Sequence, residues 1–263
     1  MSQLDTLITQ LGTTDTRKKI QLGNDAIALL NSSAKLECED VGQFIDGLVP
    51  WLQSSNFKVV LNGLDIMYLL VQKMGEDFKP YISSVIPPTI DRLGDSKDAV
   101  REKAQLLLST FMVSVVSPNL LLEKLLPAFS HKNGKVREEA MYCLQNTLNT
   151  HGAATITISR LMPHVIKLLS DPTATVRDCA FNTIIEAYRH YGERLRLDLQ
   201  KKFSLPPANL TIFISYAKMA SLKLLLILCE FRFSSQNFWN IYALVLRNEV
   251  TALYLAHLQN VNE

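Results

Sequence analysis

The sequence contains few of the residues that break regular secondary structure, with 10 glycines and 10 prolines among 263 residues. This low content excludes a collagen-like chain and a generally disordered one. The first five residues lack the basic and apolar regions of a secretory signal peptide. The four cysteines share no paired spacing, which favours buried free thiols over disulfides or a zinc site; they are Cys38, Cys143, Cys179 and Cys229. We therefore expect a cytoplasmic protein.

Sequence motifs of catalysis are also missing. There is no glycine-rich phosphate loop, no His-Glu-x-x-His zinc motif and no nucleophile elbow, and the five histidines are scattered. We expect no enzyme, no metal and no cofactor. A net charge of +2 is too small for a generic nucleic-acid binder. Lys218 and Lys223 interrupt the single apolar run that could approach membrane-spanning length, so we expect no membrane partner either.

A short pattern of small and apolar residues recurs five times along the chain. Three copies read Val-Arg-x-x-Ala and begin at Val100, Val136 and Val176, while two earlier copies are degenerate. The small residue recurs after 40, 41, 36 and 40 residues, at Gly23, Gly63, Ala104, Ala140 and Ala180. An apolar residue follows it by four positions each time, at Ile27, Met67, Leu108, Leu144 and Ile184. The pattern predicts an all-α fold, an α-solenoid of about six HEAT-type helix pairs.

Prolines mark the first helix of three of these pairs. Pro87, Pro127 and Pro163 precede the second-helix starts by 13, 9 and 13 residues. The four-residue deficit of the middle copy matches the 36-residue step and is close to one helical turn. We therefore expect the first helix or the loop of that repeat to be shortened by a turn.

The loops within the pairs emerge on one edge of a stacked array, and they carry a recurring set of cations. This set, with one aromatic residue, is Arg17, Lys18, Lys19, Phe57, Lys58, Lys97, Lys132 and Lys135. For a single loop, solvated lysines are the simpler interpretation. Their recurrence at one structural position favours an acidic partner, because a row of like charges repels itself.

The arginines that begin three second helices allow two interpretations. Arg101, Arg137 and Arg177 could pair with an aspartate of the adjoining loop, for which Asp95 and Asp171 are well placed. Alternatively, they could contact the partner. We favour the structural pairing and keep Arg137 and Arg177 among the candidate partner contacts.

Several stretches resemble one family, the CLIP-associating proteins (CLASPs). They are Ile90-Asp91-Arg92-Leu93-Gly94-Asp95, His131-Lys132-Asn133, Thr147-Leu148-Asn149-Thr150 and Tyr188-Arg189-His190-Tyr191-Gly192-Glu193-Arg194. The chain is similar to the N-terminal TOG domain of that family up to about Phe213. The resemblance implies loops that bind tubulin or the microtubule lattice, in a regulator that suppresses catastrophe and promotes rescue. It also implies a location on cytoplasmic microtubules, the spindle and kinetochores, with plus-end and kinetochore proteins as further partners.

The resemblance makes the tubulin-binding candidates Arg17, Lys18, Lys19, Phe57, Lys58, Lys97, Lys132, Lys135, Arg137 and Arg177. Polymerase-type TOG domains carry a tryptophan in the first loop where this chain has Arg17. We expect Phe57 to supply the aromatic contact in the second loop, and Trp51 to pack in the core. The alternative function is a HEAT scaffold of the transport-receptor or phosphatase-regulatory kind. We expect residues 1–213 to form the domain and 214–263 a divergent apolar tail.

Overall fold

The computed structural model describes residues 3–32 and 35–203, together with Phe213 and Ser215. All regular structure in these residues is helical, without a strand. The α-helices are α1 (Gln3–Ile8), α2 (Thr16–Ser32), α3 (Val41–Leu52), α4 (Phe57–Met74), α5 (Ile82–Arg92), α6 (Asp98–Ser114), α7 (Pro118–Lys124), α8 (Gly134–His151), α9 (Ile158–Lys167), α10 (Ala174–Tyr191) and α11 (Glu193–Lys201). The 3-10 helices are Gly75–Tyr81, Leu126–Ser130, Ala153–Thr155 and Leu168–Ser170.

The chain divides into two compact units, residues 1–190 and residues 191–263. The first unit contains five helix pairs, each with a first helix, a short loop and a longer second helix (α2, α4, α6, α8 or α10). In the second unit, α11 buries Leu195 and Leu199. The rest of the expected sixth pair, and all of the tail 214–263 except Ser215, lie outside the described residues. The boundary near Phe213 therefore stays a prediction.

The small residues of the repeat lie at buried helix contacts, as the spacing predicts. Ala104, Ala140 and Ala180 are fully buried. A Cβ atom added to Gly23 would lie 2.3 Å from Asn62 Nδ2 in α4. Only a residue without a side chain allows α2 and α4 to approach this closely. The apolar residue one turn later is buried in four copies, whereas Ile27 of the first pair is half-buried.

The structure places the four-residue deficit in a different segment from the one we expected. The first helix of the fourth pair and its 3-10 extension cover residues 118–130, the same length as residues 158–170 of the fifth pair. Three of the four missing residues come from the connection between pairs, since only 115–117 separate α6 from α7, against 152–157 between α8 and α9, and the fourth comes from α6, which has 17 residues against 18 in α8. The expectation of a shortened first helix or loop is therefore wrong. Pro127 lies closer to its loop because it begins the 3-10 turn, where its missing N–H removes no helical hydrogen bond.

The described cysteines are free, and burial sets their chemistry. Cys143 and Cys179 are buried and Cys38 is half-buried, whereas Cys229 lies outside the described residues. Burial raises the pKa of Cys38 and Cys143 to about 12 and that of Cys179 to about 11. These three thiols are thus protonated and poorly nucleophilic near neutral pH. In the described part of the chain, no helix has the length and apolarity needed to cross a membrane.

Candidate functional site: the row of loops

Each of the five loops within the helix pairs precedes a second helix, and loops 2 to 5 contact one another in order, directly or through those helix starts. We number them 1 to 5 and call them, with the first turn of each following helix, the loop row; they are residues 9–15, 53–56, 93–97, 131–133 and 171–173. Lys97 Nζ of loop 3 lies 5.7 Å from the Phe57 ring centroid beside loop 2. Asn133 of loop 4 donates to the Gly94 carbonyl of loop 3 at 3.1 Å. The Arg137 guanidinium beside loop 4 binds the Asp171 carboxylate of loop 5.

One turn recurs in every loop and sets the course of its backbone. In each loop, one side chain accepts a hydrogen bond from the backbone N–H two residues later. This side chain lies nine or ten residues before the small residue of the repeat. The acceptors are Thr13, Ser54, Asp95, His131 and Asp171, at 3.4, 3.2, 2.9, 3.1 and 2.9 Å respectively. Such turns satisfy amides that the following helix leaves free at its first turn.

Loops 1, 2 and 4 add a second turn that ends on a cation. Asp15 accepts the N–H of Arg17 at 2.8 Å, Asn56 that of Lys58 at 3.0 Å, and Asn133 that of Lys135 at 2.9 Å. In loop 3 the first turn already ends on a cation, since Asp95 accepts the N–H of Lys97. The result is one backbone-anchored cation at the start of each of the first four second helices.

These turns correspond to a sequence pattern that extends beyond the cations themselves. An Asp or Asn stands two positions before a Lys or Arg in four loops, as Asp-Thr-Arg, Asn-Phe-Lys, Asp-Ser-Lys and Asn-Gly-Lys. The turn residues Asp15, Asn56, Asp95 and Asn133 therefore set the backbone of the loops, although the prediction from the sequence named only cations and one aromatic residue. The preference of Asp and Asn for such turns would have identified them.

Five of the candidate cations are exposed and available to a partner. Arg17, Lys18, Lys58, Lys97 and Lys132 are exposed. Within the described residues, no carboxylate lies at ion-pair distance from any of them. Phe57 is 40% exposed and begins α4 next to them. Trp51 is fully buried and donates Nε1–H to the Leu11 carbonyl, which confirms its expected place in the core.

Lys19 and Lys135 are less available. Lys19 is half-buried. The Lys135 ammonium lies 3.0 Å from Glu138 and 3.4 Å from Glu139, one helical turn further along α8. Burial alone would lower the pKa of Lys135, but the two glutamates outweigh it and the pKa is raised. Because its charge is neutralised within the helix, Lys135 offers a partner little.

The three arginines share a structural contact that differs from the one we expected. Each donates Nη1–H to the backbone carbonyl six residues earlier: Arg101 to Asp95 at 2.7 Å, Arg137 to His131 at 2.6 Å and Arg177 to Asp171 at 2.7 Å. These bonds hold each loop against its own second helix. Structural pairing, the interpretation that we favoured, is thus the one that the geometry supports.

In the part of the chain that the structure describes, the expected pairing of a helix-start arginine with a loop aspartate occurs once. Arg137 is 9% exposed and binds Asp171 through two contacts, Nη2 to Oδ1 at 2.8 Å and Nε to Oδ2 at 2.7 Å. The Asp95 carboxylate instead contacts Arg92 at 3.1 Å, and Arg101 reaches Asp98 and Glu139. For Arg101 and Arg177, the expectation of an ion pair with the loop aspartate is wrong. Arg177 remains an exposed residue whose guanidinium is already bound to its own loop.

The CLASP N-terminal family model matches residues 26–204 of this chain. The chain belongs to this family. A CLIP-associating protein of Drosophila melanogaster is 42% identical over 214 residues, covering 80% of this chain. This CLASP-family chain spans only 14% of that relative's length.

Solved structures agree with the fold. The crystal structure of the MAST/Orbit N-terminal domain is similar with a TM-score of 0.79 and 41% identity, and covers 84% of this chain and 99% of that one. A structure from work on TOG-tubulin binding specificity has a TM-score of 0.69 at 20% identity, covering 81% of each chain. The second likeness shows the fold alone. The CLASP-family chain is therefore a HEAT-repeat TOG domain.

Proposed function

We propose that this domain binds tubulin or the microtubule lattice through the loop row, as part of a longer regulator of microtubule dynamics that acts in the cytoplasm, at plus ends, spindle and kinetochores. The observation that carries the proposal is the row itself: four adjacent loops present exposed cations beside one exposed aromatic ring, at Arg17, Lys18, Lys58, Lys97, Lys132 and Phe57. Such a surface fits an acidic protein partner, because charge complementarity steers and orients association.

Family membership supports the choice of partner. The CLASP resemblance implies microtubules, and the TOG structure of similar fold comes from work on tubulin binding. The proposed role is that of a binding module and not of an enzyme. The proposed contacts exclude Lys135 and Arg137, whose charges are already paired.

A second candidate function is a protein-binding scaffold, and one observation favours it. Leu106 and Val113 of α6 and Tyr142 of α8 are exposed on second helices, with Val113 at 72%. Exposed apolar residues of this kind are common at protein interfaces. A scaffold that binds through these residues would be insensitive to the charge of the loops.

Charge reversal of the loop row tests the proposal. The triple variant Lys58→Glu, Lys97→Glu and Lys132→Glu should bind stabilised microtubules at least about tenfold more weakly, with nearly unchanged Tm, because exposed charges contribute little to stability. The control reverses Lys35, Lys73 and Lys79, which lie at or just beyond the opposite ends of α2 and α4, and its Tm is measured as well because Lys73 is half-buried. These ends are about 26 Å from the loop row, given the length of the second helices.

The control variant should pellet with microtubules as the unchanged protein does. Equal binding by both triple variants would overturn the loop row as the binding surface. If the triple Ala variant of Leu106, Val113 and Tyr142 then lost microtubule binding while the triple Glu variant of the loop row kept it, the result would favour the scaffold function. Raising salt should weaken the microtubule complex, since exposed charges are screened over about 8 Å at physiological ionic strength.

A further inference from the structure

Two asparagines each donate a side-chain hydrogen bond to the backbone of the preceding repeat, and we call these two bonds the clasps. Asn62 Nδ2 of α4 donates to the Ile20 carbonyl of α2 at 3.1 Å, and Asn133 Nδ2 donates to the Gly94 carbonyl of loop 3 at 3.1 Å. Each amide thus crosses from one helix pair to the preceding one and binds the backbone. A hydrogen bond to a carbonyl, unlike one to a flexible side chain, fixes the position of the chain itself.

Each amide also occupies space that a glycine leaves open. A Cβ atom on Gly23 would lie 2.3 Å from Asn62 Nδ2, and one on Gly94 would lie 2.4 Å from Asn133 Nδ2. These separations are below van der Waals contact, so no other residue type allows the same approach. The two asparagine–glycine pairs are therefore specific devices and not incidental polar contacts.

The clasps and the other contacts lie at different junctions between helix pairs. Asn62 holds the start of α2, which carries Arg17 and Lys18, and Asn133 holds loop 4 to loop 3. The junction of loops 2 and 3 has the Lys97–Phe57 contact, and that of loops 4 and 5 has the Arg137–Asp171 pair. The Asn62 bond thus joins α2 to α4 just beyond the loop row, whereas each junction among loops 2 to 5 has a contact within the row.

We propose that Asn62 and Asn133 are positioning residues: they touch no partner but hold the cations of adjacent loops at a fixed spacing, so that the loops bind one partner together. This inference rests on the function proposed above. A rigid partner with fixed acidic groups is bound best by loops whose separation is already set, because ordering them during binding costs entropy. Loss of a clasp should leave each cation exposed on its own loop but should allow its distance from the cations of the neighbouring loops to vary.

A single substitution separates the clasp from the helix cap. Asn133 also caps α8 through Oδ1, which accepts the Lys135 N–H. In Asn133→Ser the hydroxyl keeps the cap, since serine is a good capping residue, but it is too short to reach the Gly94 carbonyl. Asn56→Ser is the matched control, because Asn56 caps α4 in the same way and Nδ2 has no hydrogen bond to another repeat among the described residues.

The experiment combines hydrogen exchange with microtubule pelleting of the full chain. Asn133→Ser should speed exchange of the loop 3 amides and weaken binding by about three- to tenfold, while Asn56→Ser changes neither. The effects of Lys132→Glu and Asn133→Ser on binding should be non-additive, because an uncoupled loop 4 contributes less to the complex. Their effects on Tm should add. If Asn133 had a merely structural role, their effects on binding would add as well.

The outcomes also separate this inference from the proposed function. If the unchanged protein does not pellet with microtubules, the proposed function fails, and loop exchange alone then decides whether the clasp orders loop 3. If it pellets but Asn133→Ser binds as tightly as Asn56→Ser, the positioning role is overturned. Gly94→Ala is a poorer test, because its Cβ atom would also lie 2.6 Å from Cγ2 of the buried Val136, so the comparison of Asn133→Ser with Asn56→Ser decides the question.

Discussion

Arg137 and Asp171 form a buried ion pair that joins two helix pairs at the edge where their loops emerge. The guanidinium contacts both carboxylate oxygens, at 2.8 and 2.7 Å. It also binds the His131 carbonyl, while Asp171 accepts the Thr173 N–H at 2.9 Å. One salt bridge therefore fixes loop 4, loop 5 and the starts of α8 and α10, which makes it a stability element within the proposed binding edge.

Removing one partner of this pair should destabilise the domain strongly. Arg137→Ala leaves a buried carboxylate without its cation, and we expect the free energy of unfolding to fall by about 3 kcal/mol. Arg177→Ala is the control, because Arg177 is exposed and its partners among the described residues are carbonyls of its own loop, so its loss should cost about 1 kcal/mol. Urea denaturation of both variants measures the difference. Equal losses would show that the buried pair is no stronger than an exposed loop contact.

The Arg137–Asp171 pair should also make the free energy of unfolding depend on pH. Burial alone would raise the pKa of Asp171, but the Arg137 and Thr173 hydrogen bonds outweigh it, and the pKa is lowered. A carboxyl whose pKa is lower in the folded state stabilises the fold above its unfolded pKa of about 3.9, and this contribution is lost as the pH falls towards the folded pKa. The loss of unfolding free energy caused by Asp171→Asn should therefore be largest near neutral pH and should become smaller below about pH 4. A loss independent of pH down to strongly acidic conditions would contradict this assignment.

The repeat and the loop edge could be predicted from the sequence because both recur. The spacing from Gly23 to Ala180 directly reports helix contacts, and the recurring cations indicate which loops align. The partners of the arginines could not be predicted in the same way. Asp95 and Asp171 are equivalent in sequence, yet among the described residues only Asp171 binds an arginine of the preceding second helix, because α4 has Val60 at the position that Arg137 has in α8. Spacing also reports the size of a deletion but not the segment that lost the residues.

The small residues at helix contacts give a prediction about packing. Ala140→Leu should overpack a fully buried site and lower the free energy of unfolding by about 1 to 3 kcal/mol. Gly23→Ala should also destabilise, although alanine favours helices by about 1 kcal/mol, because its Cβ would displace Asn62 from Ile20. Gly12→Ala is the control, since a Cβ atom there meets nothing within 4 Å. A gain in stability from Gly23→Ala would show that α2 and α4 can separate without cost.

The exposed aromatic ring of the loop row should matter for binding more than for folding. Phe57→Ala removes a ring that is 40% exposed, so Tm should change little. Aromatic residues at interface centres often carry much of the binding free energy, and we expect microtubule affinity to fall about tenfold. Phe57→Tyr, which keeps the ring for the Lys97 contact, should retain most of the affinity in the same pelleting assay. Unchanged binding by Phe57→Ala would leave the cations as the main determinants.

The first loop gives the sharpest test of the choice between free tubulin and lattice. Arg17 is exposed at the start of α2, in the place where polymerase-type TOG domains carry a tryptophan, and its N–H is already fixed by Asp15. Because the backbone there is set, Arg17→Trp should present its ring to a partner as Phe57 does in the second loop. We expect the variant to gain affinity for free tubulin, measured as co-elution in size-exclusion chromatography, by about tenfold. Lys18→Trp is the control, since it adds the same ring and removes the same charge one position further along the helix. If both tryptophans act alike, the gain comes from added apolar surface, and the position of Arg17 has no special role in tubulin binding.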